Sequence, residues 1–158
     1  MLVRMMALQF TAGMDKIFWY DFRNDGWEPD NQEHNFGLIR MDNTPKPAVV
    51  AYANFIRQFR HGRWIGQYSI GGGARCLAFV DSTDNRFVLV AWAMEGGKSE
   101  PIPVGAGTKE LTLTDIYGQS ATIAAKGGMV VLPLSTSPVY VTGLGEEDVR
   151  PFVTPAAR

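Results

Sequence analysis

The spacing of hydrophobic residues along the chain changes character near residue 61. Leu2, Met5, Met6, Leu8 and Gln9 favour helix, and Gly13 stands where a helix stop belongs. Lys16-Ile17-Phe18-Trp19-Tyr20-Asp21-Phe22 then carries an unbroken apolar run without strict alternation. That pattern predicts a strand buried on both faces, as in a parallel sheet. A long polar loop from Arg23 to Asn35 follows, of a kind that tends to be functional or mobile. Phe36-Gly37-Leu38-Ile39 closes it, and Asp42-Asn43-Thr44-Pro45-Lys46-Pro47 supplies helix-start chemistry. Val49, Tyr52, Ala53, Ile56 and Phe59 give the following helix, through Gln58, one apolar face. A parallel strand without a parallel neighbour cannot satisfy its backbone, so residues 1–61 read as part of an incomplete sheet.

From residue 62 to 145 the rhythm is that of short strands. Arg75 to Val80, Arg86 to Met94, Glu110 to Asp115, Ala121 to Ala124, Met129 to Leu134 and Val139 to Thr142 alternate with turn signals such as Glu95-Gly96-Gly97 and Lys126-Gly127-Gly128. Gly71-Gly72-Gly73 reads as a linker turn, since no Lys-Ser or Lys-Thr follows to make a phosphate loop. The predicted fold is mostly β: an antiparallel β-sandwich preceded by a partial α/β segment, with residues 146–158 as a frayed or draped tail.

Composition narrows the classes. With 46% hydrophobic and 20% charged residues the chain has apolar material for a core and is not of disordered type. Fifteen basic against sixteen acidic residues give a net charge of -1, so nothing points to a nucleic-acid partner or a membrane surface. No apolar stretch approaches the ~20 residues of a membrane span, and the N-terminus does not read as a signal peptide. A single cysteine, Cys76, excludes an intrachain disulfide and leaves localisation open. His34 and His61 stand far apart without metal-ligand spacing, so no metal and no cofactor is expected.

The order strand, loop, helix, small sandwich resembles the C-terminal part of a clan-A glycoside hydrolase, in which a (β/α)8 barrel is followed by a β-sandwich. The resemblance rests on Ile17 to Phe22 with Asn24-Asp25-Gly26, on Glu33 to Leu38, and on Thr44-Pro45-Lys46-Pro47-Ala48 before a helix. Leu113-Thr114-Asp115-Ile116-Tyr117-Gly118 and Ser137-Pro138-Val139-Tyr140-Val141-Thr142-Gly143 extend it into the sandwich. Family 39 and its neighbours, β-xylosidase-like or cellulase-like, are the members it is most similar to. The resemblance implies the eighth barrel strand, the last barrel helix and the accessory sandwich of an enzyme acting on β-linked glycosides. Retaining enzymes of this kind use two carboxylates, which the clan places on the fourth and seventh strands. The resemblance therefore implies no catalytic residue in this chain, no hydrolysis by it alone, and self-association or pairing with the missing barrel portion.

Four residues are candidates for holding carbohydrate. Asp21 sits at the C-terminal end of the predicted barrel strand, where barrel enzymes keep their sites. Alternation puts Trp19 on its side of the strand and Phe18, Tyr20 and Phe22 on the other. Trp19 reads equally as a sugar-stacking platform and as a core side chain. Trp27 is a second stacking candidate, and Glu33 belongs to the same acidic loop, which also reads as a solvated turn. The alternative function is a non-enzymatic carbohydrate-binding or assembly module, using aromatics drawn from Trp64, Tyr68, Trp92, Tyr117 and Tyr140.

Overall fold

The computed structural model describes residues 1–155. Three layers stack on one another. At the centre lies a seven-stranded antiparallel sheet in the order β6-β5-β8-β3-β2-β1-β9. Its strands are β1 (Gly62–Tyr68), β2 (Ala74–Asp81), β3 (Phe87–Ala93), β5 (Glu110–Asp115), β6 (Ser120–Ala124), β8 (Val139–Leu144) and β9 (Val153–Pro155). A two-stranded sheet of β4 (Lys98–Pro103) and β7 (Met129–Leu134) covers one face. Helices α1 (Leu2–Thr11) and α2 (Pro47–Phe59) cover the other.

The period-2 geometry of strands explains this layering. Cys76, Ala78, Leu89 and Ala91 point to the face closed by Ile102, Val130 and Leu132 of the small sheet. The alternate residues Leu77, Phe79, Val88, Val90 and Trp92 point to Val3, Met6 and Ala7 of α1 and to Ala51, Phe55 and Phe59 of α2. Every residue of β3 is therefore buried, and its sequence is continuously apolar although its neighbours run antiparallel. Phe59 ties the helical layer to the sheet, with its ring centroid 4.7 Å from that of Phe55 and 4.7 Å from that of Phe79. Arg4 adds a polar clamp, donating to the carbonyls of Ala93 and Thr136 with its guanidinium 5.9 Å from the Trp92 ring centre.

Two strands escape a reading by pattern. β1 is interrupted by Gly66, where the register shifts and an added Cβ would stand 2.2 Å from the Thr154 carbonyl oxygen of β9. β4 contains Pro101 and Pro103, which only an edge strand tolerates. The segment 146–155 is neither frayed nor draped. Val149 and Asp148 are buried, in a short helix α3 (Glu146–Val149), and β9 pairs with β1. The Asp148 carboxylate accepts from the backbone N–H groups of Gly105 (2.6 Å) and Gly145 (2.7 Å) and from the Thr108 hydroxyl. Tyr68 Oη donates to the Asp148 carbonyl at 2.6 Å. The last three residues of the expected tail lie outside the described residues.

The predicted strand Ile17 to Phe22 is not a strand. It is extended chain with a single parallel bridge at its end, Arg23 to Ile39. The helix that follows buries Phe59 as expected and packs Tyr52 against the same core, but the rest of its buried stripe differs from the expected one. Ala51, Asn54, Phe55, Gln58 and Phe59 face the sheet, while Ala53 and Ile56 are exposed and Val49 and Tyr52 half-buried. α2 thus carries two apolar stripes, of which one is covered. Among the described residues no helix is long and apolar enough to cross a membrane.

Candidate functional site

Two residues past the end of α1 stands Gly13, whose φ of 83° lets the chain turn out while its N–H donates to the Phe10 carbonyl. From Lys16 to Tyr20 no backbone group makes a hydrogen bond among the described residues. Both edges of this extended segment are free. Phe18 is 88% exposed, and Tyr20 and Phe22 are each 70% exposed. The side-chain alternation expected from the sequence holds even without a sheet: Trp19 and Asp21 turn inward and are partly buried. Trp19 Nε1 donates to the Phe36 carbonyl at 3.0 Å, which commits the polar end of the indole to the loop.

The loop from Arg23 to Lys46 is organised around two amides. Asn35 Nδ2 donates to the carbonyls of Glu28 (2.9 Å) and Asn31 (2.8 Å), and its Oδ1 accepts from Asn24 Nδ2 at 3.0 Å. Lys46 Nζ donates to Asn24 Oδ1 (2.6 Å) and to the Asn35 carbonyl (2.8 Å). Gly37 lets the two arms of the loop touch, since a Cβ there would lie 2.2 Å from the Asn24 backbone nitrogen. The Asp21 and Phe22 carbonyls accept from the N–H groups of Leu38 (3.1 Å) and Ile39 (2.9 Å), pinning the end of the extended segment to the far arm. His34 packs against the Glu28 carboxylate.

Two cavities flank Asn24. One, of about 430 Å³, is lined by Asp21, Phe22, Arg23, Asp25 and Met41. The other, of about 210 Å³, is lined by Trp27, Asn35, Arg40, Met41, Asp42 and Lys46. Asp21 Oδ1 is buried without a hydrogen-bond partner among the described residues. Burial, and then the neighbouring Asp25 carboxylate, push the Asp21 carboxyl above the usual range. Tyr20 Oη donates to Asp25 Oδ2 at 3.1 Å. Burial and the Arg40 charge lower the Lys46 ammonium from its ordinary value. The arrangement offers hydroxyl acceptors on one side of Asn24, cations on the other, and the 70% exposed indole of Trp27 at the rim.

Of the four residues singled out from the sequence, Asp21 and Trp27 line these adjacent cavities. Trp19 lies to the inner side of the segment, and Glu33 is exposed on the turn and lines neither. Asn24, Asn35, Arg40 and Lys46 were not anticipated. Asn24 and Asn35 read as turn formers, and the one local signal for Lys46 is its place between Pro45 and Pro47. In the sheet, Tyr68, Trp92 and Tyr140 are buried and Trp64 is half-buried, which leaves Tyr117 as the exposed aromatic of that set. Among the described residues no three or more His, Cys, Asp or Glu gather as metal ligands.

No protein-family model matches the sequence, and no curated protein matches it either. A solved structure does: a family 39 glycoside hydrolase from the gut symbiont Bacteroides cellulosilyticus WH2, with a TM-score of 0.78 and 32% sequence identity. The match covers 89% of this chain and 29% of that one. Over most of its length, then, the chain is similar in fold and sequence to somewhat less than a third of a family 39 glycoside hydrolase.

Proposed function

We propose that this chain is the C-terminal part of a glycoside hydrolase acting on β-linked glycosides or polysaccharides. In this reading it supplies the last strand and last helix of a (β/α)8 barrel together with the β-sandwich that braces them. The observation that carries it is the segment Lys16 to Phe22: extended, without backbone partners through Tyr20, and presenting Phe18, Tyr20 and Phe22 to solvent. Exposed aromatic side chains on a strand-like segment with two free edges are what a sheet leaves when its neighbouring strands are taken away. The uncovered stripe of α2 and the apolar groove of about 310 Å³ between α1 and α2, lined by Phe10, Ile17, Phe18 and Ile56, support the same reading.

The chemistry follows from that placement. Asp21 and Trp27 hold sugar at the C-terminal end of the last strand, one by accepting or sharing hydroxyl protons and the other by stacking on a ring face. Trp19 supports the loop that positions them through its indole N–H on the Phe36 carbonyl, and Glu33 adds an exposed carboxylate on the same loop. The acid/base and the nucleophile that cleave the bond with retention stand on other strands of the barrel. The sandwich contributes rigidity, because its central sheet buries Trp92 and Phe79 directly beneath the helices that carry the loop.

An immunoblot of the native source, with an antibody raised against the sandwich, tests the proposal. A band well above 17.4 kDa is expected. A band at 17.4 kDa overturns the reading in favour of a free-standing carbohydrate-binding module, which would then titrate with oligosaccharide as a monomer.

A further inference from the structure

The large sheet has one unguarded edge, far in the strand order from the extended segment and its loop. We propose that two copies of this chain associate there, β6 against β6, antiparallel about a two-fold axis at Thr122. The inference is independent of the glycosidase reading.

β6 ends the order of the seven-stranded sheet, so one of its edges is open. Antiparallel ladders bond at every second residue. The Asp115 N–H donates to the Gln119 carbonyl (2.9 Å), and the Ala125 N–H donates to the Lys109 carbonyl (2.8 Å). With Thr114 opposite Ser120 and Glu110 opposite Ala124, that phase gives the backbone of residues 119, 121, 123 and 125 to β5. The N–H and C=O groups of Ser120, Thr122 and Ala124 therefore point outward, and all three residues are exposed. Other strands carry residues that discourage pairing: Pro101 and Pro103 in β4, Pro133 in β7, and Pro155 in the three-residue β9. β6, Ser120-Ala121-Thr122-Ile123-Ala124, has no charge, no proline and no bulge.

The edge is complementary to itself. Setting Thr122 opposite Thr122 of the copy places Ser120 opposite Ala124 on both sides of the axis. In that register every outward N–H and C=O group finds a partner, and the central Thr–Thr contact is a favourable cross-strand pair. No like charges stand opposite one another. Beyond the strand, Lys126 of one copy falls opposite Gly118 of the other, beside the turn that begins at Asp115. Asp115 commits Oδ1 to the Tyr117 and Gln119 N–H groups, and neither it nor Lys126 has an ion pair among the described residues. The two-fold axis brings this cation and this carboxylate together twice, once at each end. A strand of other sequence would satisfy the backbone without that charge match, which favours a second copy as the occupant.

The test is sedimentation equilibrium of the whole chain, with hydrogen exchange read at single amides. Because the contact is short, the mass is expected to rise from 17.4 kDa toward twice that value between about 1 μM and about 1 mM protein. The Ser120, Thr122 and Ala124 amides should slow in step. Thr122→Pro removes an outward donor and leaves the ladder to β5 intact, so it is expected to weaken association at least about tenfold with an unchanged circular dichroism spectrum. Thr122→Lys places like charges on the axis and should weaken association in a manner that about 1 M salt partly reverses. Phe18→Ser should leave association as it is, which separates this edge from the exposed aromatic segment. A monomer at every concentration, association that survives in a folded Thr122 variant, or association lost in Phe18→Ser overturns the inference. Amides of β6 already protected in the monomer also overturn it, because another segment then occupies the edge.

Discussion

β3 and the segment Lys16 to Phe22 are built from nearly the same kind of residue and end in opposite conditions. Phe87-Val88-Leu89-Val90-Ala91-Trp92-Ala93 is buried throughout, hydrogen-bonded on both edges and covered on both faces. Ile17-Phe18-Trp19-Tyr20 is likewise an unbroken apolar and aromatic run, yet through Tyr20 it has no edge partner among the described residues and its outward side chains lie open. An apolar run therefore states what a segment needs, not whether the chain can supply it. β3 obtains its edges from β2 and β8 and its cover from two other layers, all contributed by residues of this chain. For Lys16 to Phe22 the corresponding residues are not among those described.

The contrast predicts a large difference in mutational cost. Leu89→Ala in β3 should lower stability by about 2–5 kcal/mol, measured by urea unfolding, because it opens a cavity between two packed layers. Phe18→Ser should change stability by less than about 0.5 kcal/mol in the same assay, as a surface position does. Equal losses at the two sites would erase the distinction. Next in size is Asp148→Ala, which strips two backbone N–H groups and the Thr108 hydroxyl of their acceptor and should cost about 2–4 kcal/mol. Its loss should also expose β9 amides to hydrogen exchange ahead of those of β3.

Gly37→Ala sharpens the comparison at the site. Its Cβ would collide with the Asn24 backbone, so we expect a loss of about 1–3 kcal/mol and separation of the two loop arms, seen as new chemical shifts at Asn24 and Asn35. The smallest effect is a pH dependence. Asp21 is raised above its unfolded value near ~4, so the fold favours its protonated form. Its contribution is present below that pH and is lost as pH rises through the raised folded value. Asp21→Asn should therefore gain stability relative to the parent on going from pH 3 to pH 7, in paired urea titrations. A difference that is flat with pH, or of opposite sign, would refute the burial of that carboxyl.

The sandwich was largely legible in the sequence because its strands have period-2 patterning and strong turn residues, as Leu111-Thr112-Leu113-Thr114 shows. β1 and β4 were not, because Gly66 and Pro101 contradict strand propensity and are explained only by neighbours: the Thr154 carbonyl against one, an edge position for the other. The stripe of α2 that faces the sheet was misjudged for a related reason. Asn54 and Gln58 lie on it and read as polar, yet Asn54 Nδ2 reaches the Asp115 carbonyl at 3.0 Å and Gln58 accepts from Arg86. At the candidate site, Asp21 and Trp27, singled out by position and residue type, each line one of the two cavities. The Asn24–Asn35–Lys46 network was not legible, because its members are far apart in sequence and meet only once the loop folds back on itself.

The anchorage of α1 has a consequence for proteolysis. The unpaired stretch around Phe18 and Tyr20 is the natural substrate of an endoprotease that cuts after aromatic residues, since such enzymes bind their targets extended. A cut there severs α1 from everything that follows. Yet Val3, Met6 and Ala7 remain buried against the sheet, and Arg4 still holds the carbonyls of Ala93 and Thr136. The nicked protein should accordingly migrate as one particle in native separation and as two peptides only after denaturation, with the severed helix behaving as a tightly bound ligand of the rest.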